Sequence, residues 1–96
     1  MSSTRARPLL RRRPAILSRR LGDGVLLATV DGDGFDRLTL TGAAAWELLA
    51  EPRSCEGLCE ALGARFGIAP QEIRGDVELL VRDLTRRGLL EEVGDA

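Results

Sequence analysis

Cys55 and Cys59 are the only thiols in a chain of 96 residues that contains no histidine. One helical turn apart, they could offer two ligands to a metal. A structural site takes four, and no further Cys or His exists to complete it. The same i, i+4 spacing aims the two side chains poorly for a disulfide. They read as small core residues in a reducing compartment. Without histidine, the side chain that most often acts as a base near neutral pH is missing. Asp31-Gly32-Asp33-Gly34 resembles the opening of a calcium loop but lacks the spaced carboxylates and the distal bidentate Glu, so it reads as a hairpin turn. Trp46, the single tryptophan, sits among alanines and reads as a core anchor. No catalytic residue, metal site or cofactor is expected, and the chemistry that remains is binding.

Charge limits what could be bound. All fourteen cations are arginines, and seven of them (Arg5, Arg7, Arg11, Arg12, Arg13, Arg19 and Arg20) precede the first acidic residue. From Leu21 onward seven arginines face fifteen acidic residues, a net of −8. An arginine-rich arm over residues 1–13, interrupted by Pro8 and without an apolar face, is expected to be flexible and removable without loss of the fold. One domain follows over residues 14–93. No run approaches the ~20 apolar residues that span a bilayer, and the arm is not a signal peptide, so the expected location is the cytoplasm and no membrane partner is implied.

The elements that must carry any binding surface follow from periodicity. "AILSRRL", "VLLATV" and "FDRLTL" are short β-rich runs separated by Asp-Gly turns, the pattern of a three-stranded antiparallel meander. Thr41 is placed to cap a helix over Gly42–Ala50, which Pro52 helps to end. Ser54 caps a second, whose apolar stripe is Cys55, Leu58, Cys59, Leu62 and Phe66, with Gly67 as its stop. Pro70 opens a third, with Ile73, Val77, Leu80, Val81 and Leu84 on its core stripe and Gly88 closing it. "GLLEEV" adds a short terminal strand. The order predicts an α+β domain, a small winged helix-turn-helix-like fold in which a three-stranded antiparallel sheet is followed by three helices.

A helix-turn-helix raises nucleic-acid binding as the alternative function. In such proteins the third helix enters the major groove and its cations neutralise phosphates. Here Arg74, Arg82, Arg86 and Arg87 alternate with Glu72, Asp76, Glu78 and Asp83, and the acidic body would repel the duplex. A pure structural adaptor between two enzymes is a third class. The backbone offers another surface. If the strands lie in chain order, Phe35–Leu40 is a sheet edge, with Leu38 and Leu40 on its core face and Phe35, Arg37 and Thr39 on the other. Beside the core stripe the third helix carries a second flank, Asp76, Leu79, Asp83 and Arg86. An edge strand next to a helix groove suits strand addition by a peptide, unless the terminal strand or the arm covers it.

Four stretches, "RRRPAILSRRLGDGVLLATV", "LTLTGAAAWELL", "CEALGARFGI" and "DVELLVRDLTRRGLL", resemble the PqqD-like RiPP recognition elements over nearly all of the ordered length. The most specific items are Thr41-Gly42 leading to Trp46-Glu47-Leu48-Leu49, and Asp76-Val77 followed by Leu84 and Arg87-Gly88-Leu89-Leu90. These small non-catalytic domains bind the leader of a ribosomally synthesised precursor peptide and deliver it to a maturation enzyme. The resemblance implies a leader strand beside Phe35, Asp36, Arg37, Leu38, Thr39 and Leu40, packed against Asp76, Leu79, Leu80, Asp83, Arg86 and Arg87. Members serving lasso peptide proteases often carry an aromatic "YWxLN"-type third strand where this chain has "FDRLTL". A leader peptidase and a radical enzyme therefore both stand as partner classes. No nucleic-acid partner is implied.

Overall fold

A computed structural model describes residues 8–29 and 35–94. In chain order the elements are β1 (Leu9–Arg12), β2 (Ile16–Leu21), β3 (Gly24–Thr29), β4 (Phe35–Thr39), α1 (Thr41–Leu48), α2 (Cys55–Phe66), α3 (Pro70–Arg86) and β5 (Leu90–Val93). The meander is β2-β3-β4, antiparallel and in chain order, and the three helices follow it. The terminal strand β5 forms, but it pairs with β1 in a separate two-stranded sheet.

That pairing corrects the arm. Leu9–Arg12 is a strand, with Leu10 opposite Glu92 and Arg12 opposite Leu90. Leu10 is buried in the core at 3% exposure. Its N–H donates to the Arg53 carbonyl at 2.7 Å, and the Arg53 N–H donates back at 3.0 Å. The segment lacks an apolar periodicity because a four-residue strand held on both sides needs only one inward side chain. The remainder of the arm, residues 1–7, and the Asp31–Gly34 turn lie outside the described residues.

Arginines from outside the helix satisfy the C-terminal end of α1. The Arg12 guanidinium donates to the Trp46 carbonyl from Nε at 2.9 Å and from a terminal nitrogen at 2.5 Å, and lies 4.7 Å from the centre of the Trp46 ring. Arg53 Nε donates to the Leu48 carbonyl at 2.7 Å. The last carbonyls of a helix have no partner within it, and cations are favoured there. Burial lowers the pKa of Arg12 from its ordinary value, and the stacked ring and the helix end favour its charged form. Trp46 is core, as expected, at 1% exposure.

The helix starts differ from one another. The Ser54 hydroxyl accepts from the Gly57 N–H at 3.0 Å, as its sequence position predicts. Ser54→Ala is expected to cost about 1 kcal/mol, read as a fall of about 4–8 °C in the thermal midpoint. Thr41 is not the cap of α1: it is the first helical residue, and Leu40 occupies the cap position without any side-chain hydrogen bond. Ala69 precedes α3 with no side-chain cap either, and Pro70 supplies the first turn. Between α2 and α3 the chain turns tightly. The Ile68 N–H bonds the Gly63 carbonyl at 2.9 Å, and a methyl group on Gly63 would lie 2.4 Å from the Ile68 carbonyl oxygen. Only glycine fits there.

Candidate functional site

β4 has one neighbour, β3, and its other side is unpaired among the described residues because β5 has gone to β1. Which N–H groups face that open side follows from the β2–β3 hairpin. Leu21 pairs with Gly24 around the two-residue loop Gly22-Asp23, and Gly22 has φ +61° while Asp23 does not share the positive φ. This is the glycine-first type of tight hairpin, whose closing residues exchange both backbone hydrogen bonds. Gly24, Leu26 and Ala28 therefore spend their N–H groups on β2, and the residues between them, Val25 and Leu27, face β4. Their partners are Leu38 and Asp36. In an antiparallel ladder the alternate residues of β4, Arg37 and Thr39, then point N–H and C=O outward.

α3 runs beside this edge in the opposite sense. At one end, Arg87 bridges the two elements, 3.6 Å from Asp36 on β4 and 3.2 Å from Asp83 on α3. In the middle, a methyl group placed on Gly42 would lie 3.6 Å from Leu38 and 3.8 Å from Leu80. At the far end a cavity of about 480 Å³ is lined by Thr41, Phe66, Ile68, Ile73, Asp76 and Leu80. The groove thus passes from an ionic clasp to an apolar mouth.

Most of the candidate residues converge here, and three depart from expectation. Leu38 is buried at 6% exposure and belongs to the core, whereas Leu40, assigned to the same face, is 72% exposed. β4 ends at Thr39, and Leu40 makes the strand-to-helix turn in a single residue with φ 53° and ψ −122°, which throws its side chain outward. Arg86 is not brought to the groove: it lines a cleft of about 1150 Å³ on the other flank of α3 with Arg74, Glu78, Arg82 and Thr85. That cleft is larger but lined by charges of both signs. The strand that borders it, β1, is engaged on both sides by β5 and Arg53. Phe66, placed on the core stripe of α2, is exposed at the groove mouth. Asp76 and Leu79, expected on the second flank of α3, are exposed, and Leu80, expected on its core stripe, is half-buried and lines the mouth with Asp76.

Sequence reasoning missed the part of Thr41, Phe66, Ile68 and Ile73 in this mouth. The available signal was Ile68, a large apolar residue in a turn that needs none. The thiols stand apart. Cys59 is buried, and burial first, then its neighbour Cys55, push its thiol pKa up, away from the reactive thiolate. Among the described residues no group of three or more His, Cys, Asp or Glu is placed to hold a metal, and no helix is long and apolar enough to cross a membrane.

The fold matches the solved structure of TbiB1 in complex with the TbiA(beta) leader peptide, with a TM-score of 0.75 and 25% sequence identity, over 84% of this chain and 94% of that one. Among curated protein sequences no match is found. The family model described as coenzyme PQQ synthesis protein D (PqqD) matches residues 24–90, which run from the start of β3 through the first residue of β5 and include the whole β4–α3 groove: the chain belongs to the PqqD family.

Proposed function

We propose that this protein is a RiPP recognition element: it binds the leader of a ribosomally synthesised precursor peptide as an added strand on β4, beside α3, and presents it to a separate modifying enzyme or leader peptidase in the cytoplasm. The observation that carries this reading is the β4 edge, unpaired among the described residues and lying next to the α3 groove, in a fold that matches a protein solved with a leader peptide bound. Backbone hydrogen bonds along the edge supply affinity with little dependence on sequence, and the groove beside it selects side chains. The chain itself performs no chemistry in this scheme. It has no histidine, and its buried thiol is disfavoured as a nucleophile.

Nucleic-acid binding is not favoured. Arg74 pairs with Glu78 at 3.6 Å, and Arg87 with Asp83 and Asp36, so the cations of α3 are partly neutralised by their own neighbours. The test is calorimetric titration of the purified full chain with a synthetic leader from any short precursor-like reading frame found near its gene, and with a scrambled peptide. Saturable binding of the leader alone is expected. Conversion of the precursor is expected only when the partner enzyme is added. Equal binding of leader and scramble, or turnover by the isolated chain, would sink the reading.

A further inference from the structure

Six large hydrophobic side chains are exposed among the described residues: Phe66 and Ile68 line the apolar mouth of the groove, and Leu40 and Leu79 are the chain neighbours of Thr41 and Leu80, which line it too. Leu40 stands out for its backbone. It is the only non-glycine residue with positive φ among the described residues, and at φ 53°, ψ −122° it occupies a region that glycine enters freely and a side chain with a Cβ does not. A leucine there is unfavourable twice over, strained in its backbone and 72% exposed in its side chain. Asp76, in the same mouth, has no ion-pair partner among the described residues, whereas Asp36 and Asp83 share Arg87.

We propose that Leu40 and Asp76 are the two specificity determinants of this end of the groove, and that the leader it takes carries an apolar side chain and a lysine or arginine two positions apart. The inference rests on strand addition at β4. A strand laid there presents alternate side chains to α3, about 6.7 Å apart. Asp76 and Leu80 are one helical turn apart, about 6 Å along the axis, so one inward side chain meets the apolar mouth beside Leu40 and Leu80 while the next meets Asp76. The apolar contact removes Leu40 from water, and the basic group gives Asp76 the countercharge it lacks among the described residues. The unfavourable conformation of Leu40 is thereby tied to binding.

The probe is a messenger-RNA-displayed library of random 15-residue peptides selected on the immobilised full chain. Enriched peptides are expected to carry an aliphatic or aromatic residue two positions from Lys or Arg, and selection on Asp76→Asn is expected to lose the basic preference. Toward one wild-type-selected peptide, Leu40→Ala and Leu40→Gly are each expected to lose about tenfold in affinity. Leu40→Gly alone is expected to raise the thermal midpoint, because only it relieves the backbone. Enriched peptides without a basic preference, or Leu40 variants that bind as the parent does, would overturn the assignment while leaving strand addition intact. An unchanged midpoint in Leu40→Gly would overturn the link between strain and binding. Failure to enrich any peptide would remove the assignment together with the leader-binding reading beneath it.

Discussion

Arg37→Pro is expected to yield a folded protein that does not bind leader, and Leu38→Pro, one residue along, a protein that does not fold. The two differ in parity, and with it in which face and which N–H each position presents. The register places Leu38 opposite Val25 and Asp36 opposite Leu27, with their N–H groups spent on β3. Proline at either position deletes a ladder bond and sets φ near −65° in the middle of a paired segment. At Leu38 it also empties a core position that is 6% exposed. A loss of about 3 kcal/mol or more, with the missing side chain added, is a large share of the ~5–15 kcal/mol that stabilises a small domain. Arg37 and Thr39 point their N–H groups away from β3, so proline there removes only a donor that an incoming strand would use. Arg37→Ala is the control, since it discards the side chain and keeps the N–H, and it should bind within a few-fold of the parent. Folding is read by circular dichroism and binding by fluorescence polarisation of a labelled leader. If Arg37→Pro is folded and binds like the parent, the leader does not add as a strand at β4.

Where sequence reasoning succeeded, the cause was local. Strands β2 to β4, Ser54 at the start of α2, Gly67 at its end and Pro70 at the start of α3 are each dictated by residues within a turn of the chain, and each is found where its chemistry requires. The stripe of α3 was legible because three of its members, Ile73, Val77 and Leu84, are buried at 3.6-residue spacing. What sequence could not supply was anything that depends on a distant partner. β1 carries no pattern of its own and exists because β5, some eighty residues later, and the Arg53 loop both bond to it. Leu40 breaks the alternation of β4 because the helix starts immediately after it, and the edge parity needed the geometry of a hairpin closed at Gly22. The groove between the β4 edge and the α3 flank was legible in the sequence as an arrangement of elements. Its apolar mouth was not, because Thr41, Phe66, Ile68 and Ile73 come together from three elements and the turn between α2 and α3.

The same distant contacts set the second large effect. Truncation to Pro14, which removes β1, is expected to unfold the domain or leave it marginal, while truncation to Pro8 removes only residues that precede β1. The difference between the two is the contribution of Pro8–Arg13. It contains a leucine buried at 3% exposure, whose replacement by alanine alone costs about 2–5 kcal/mol. It also contains the ladder to β5 and the reciprocal hydrogen bonds between Leu10 and Arg53. Arg12 adds its two bonds to the Trp46 carbonyl and its stacking on the indole. Arg12→Ala is expected to cost roughly 1–3 kcal/mol, since it strips a charged donor from a partly buried helix end. Denaturant titration of the two truncations, Leu10→Ala and Arg12→Ala separates these contributions. The distinction matters for function, because an arginine-rich segment invites the reading that its removal weakens leader binding through lost charge. Loss of β1 is expected to unfold α1 and the β4 edge with it, so such a loss would persist in high salt, whereas electrostatic steering by Arg5 and Arg7 would fade there. A truncation to Pro14 with the denaturant midpoint of the full chain would show that β1 contributes nothing to the fold.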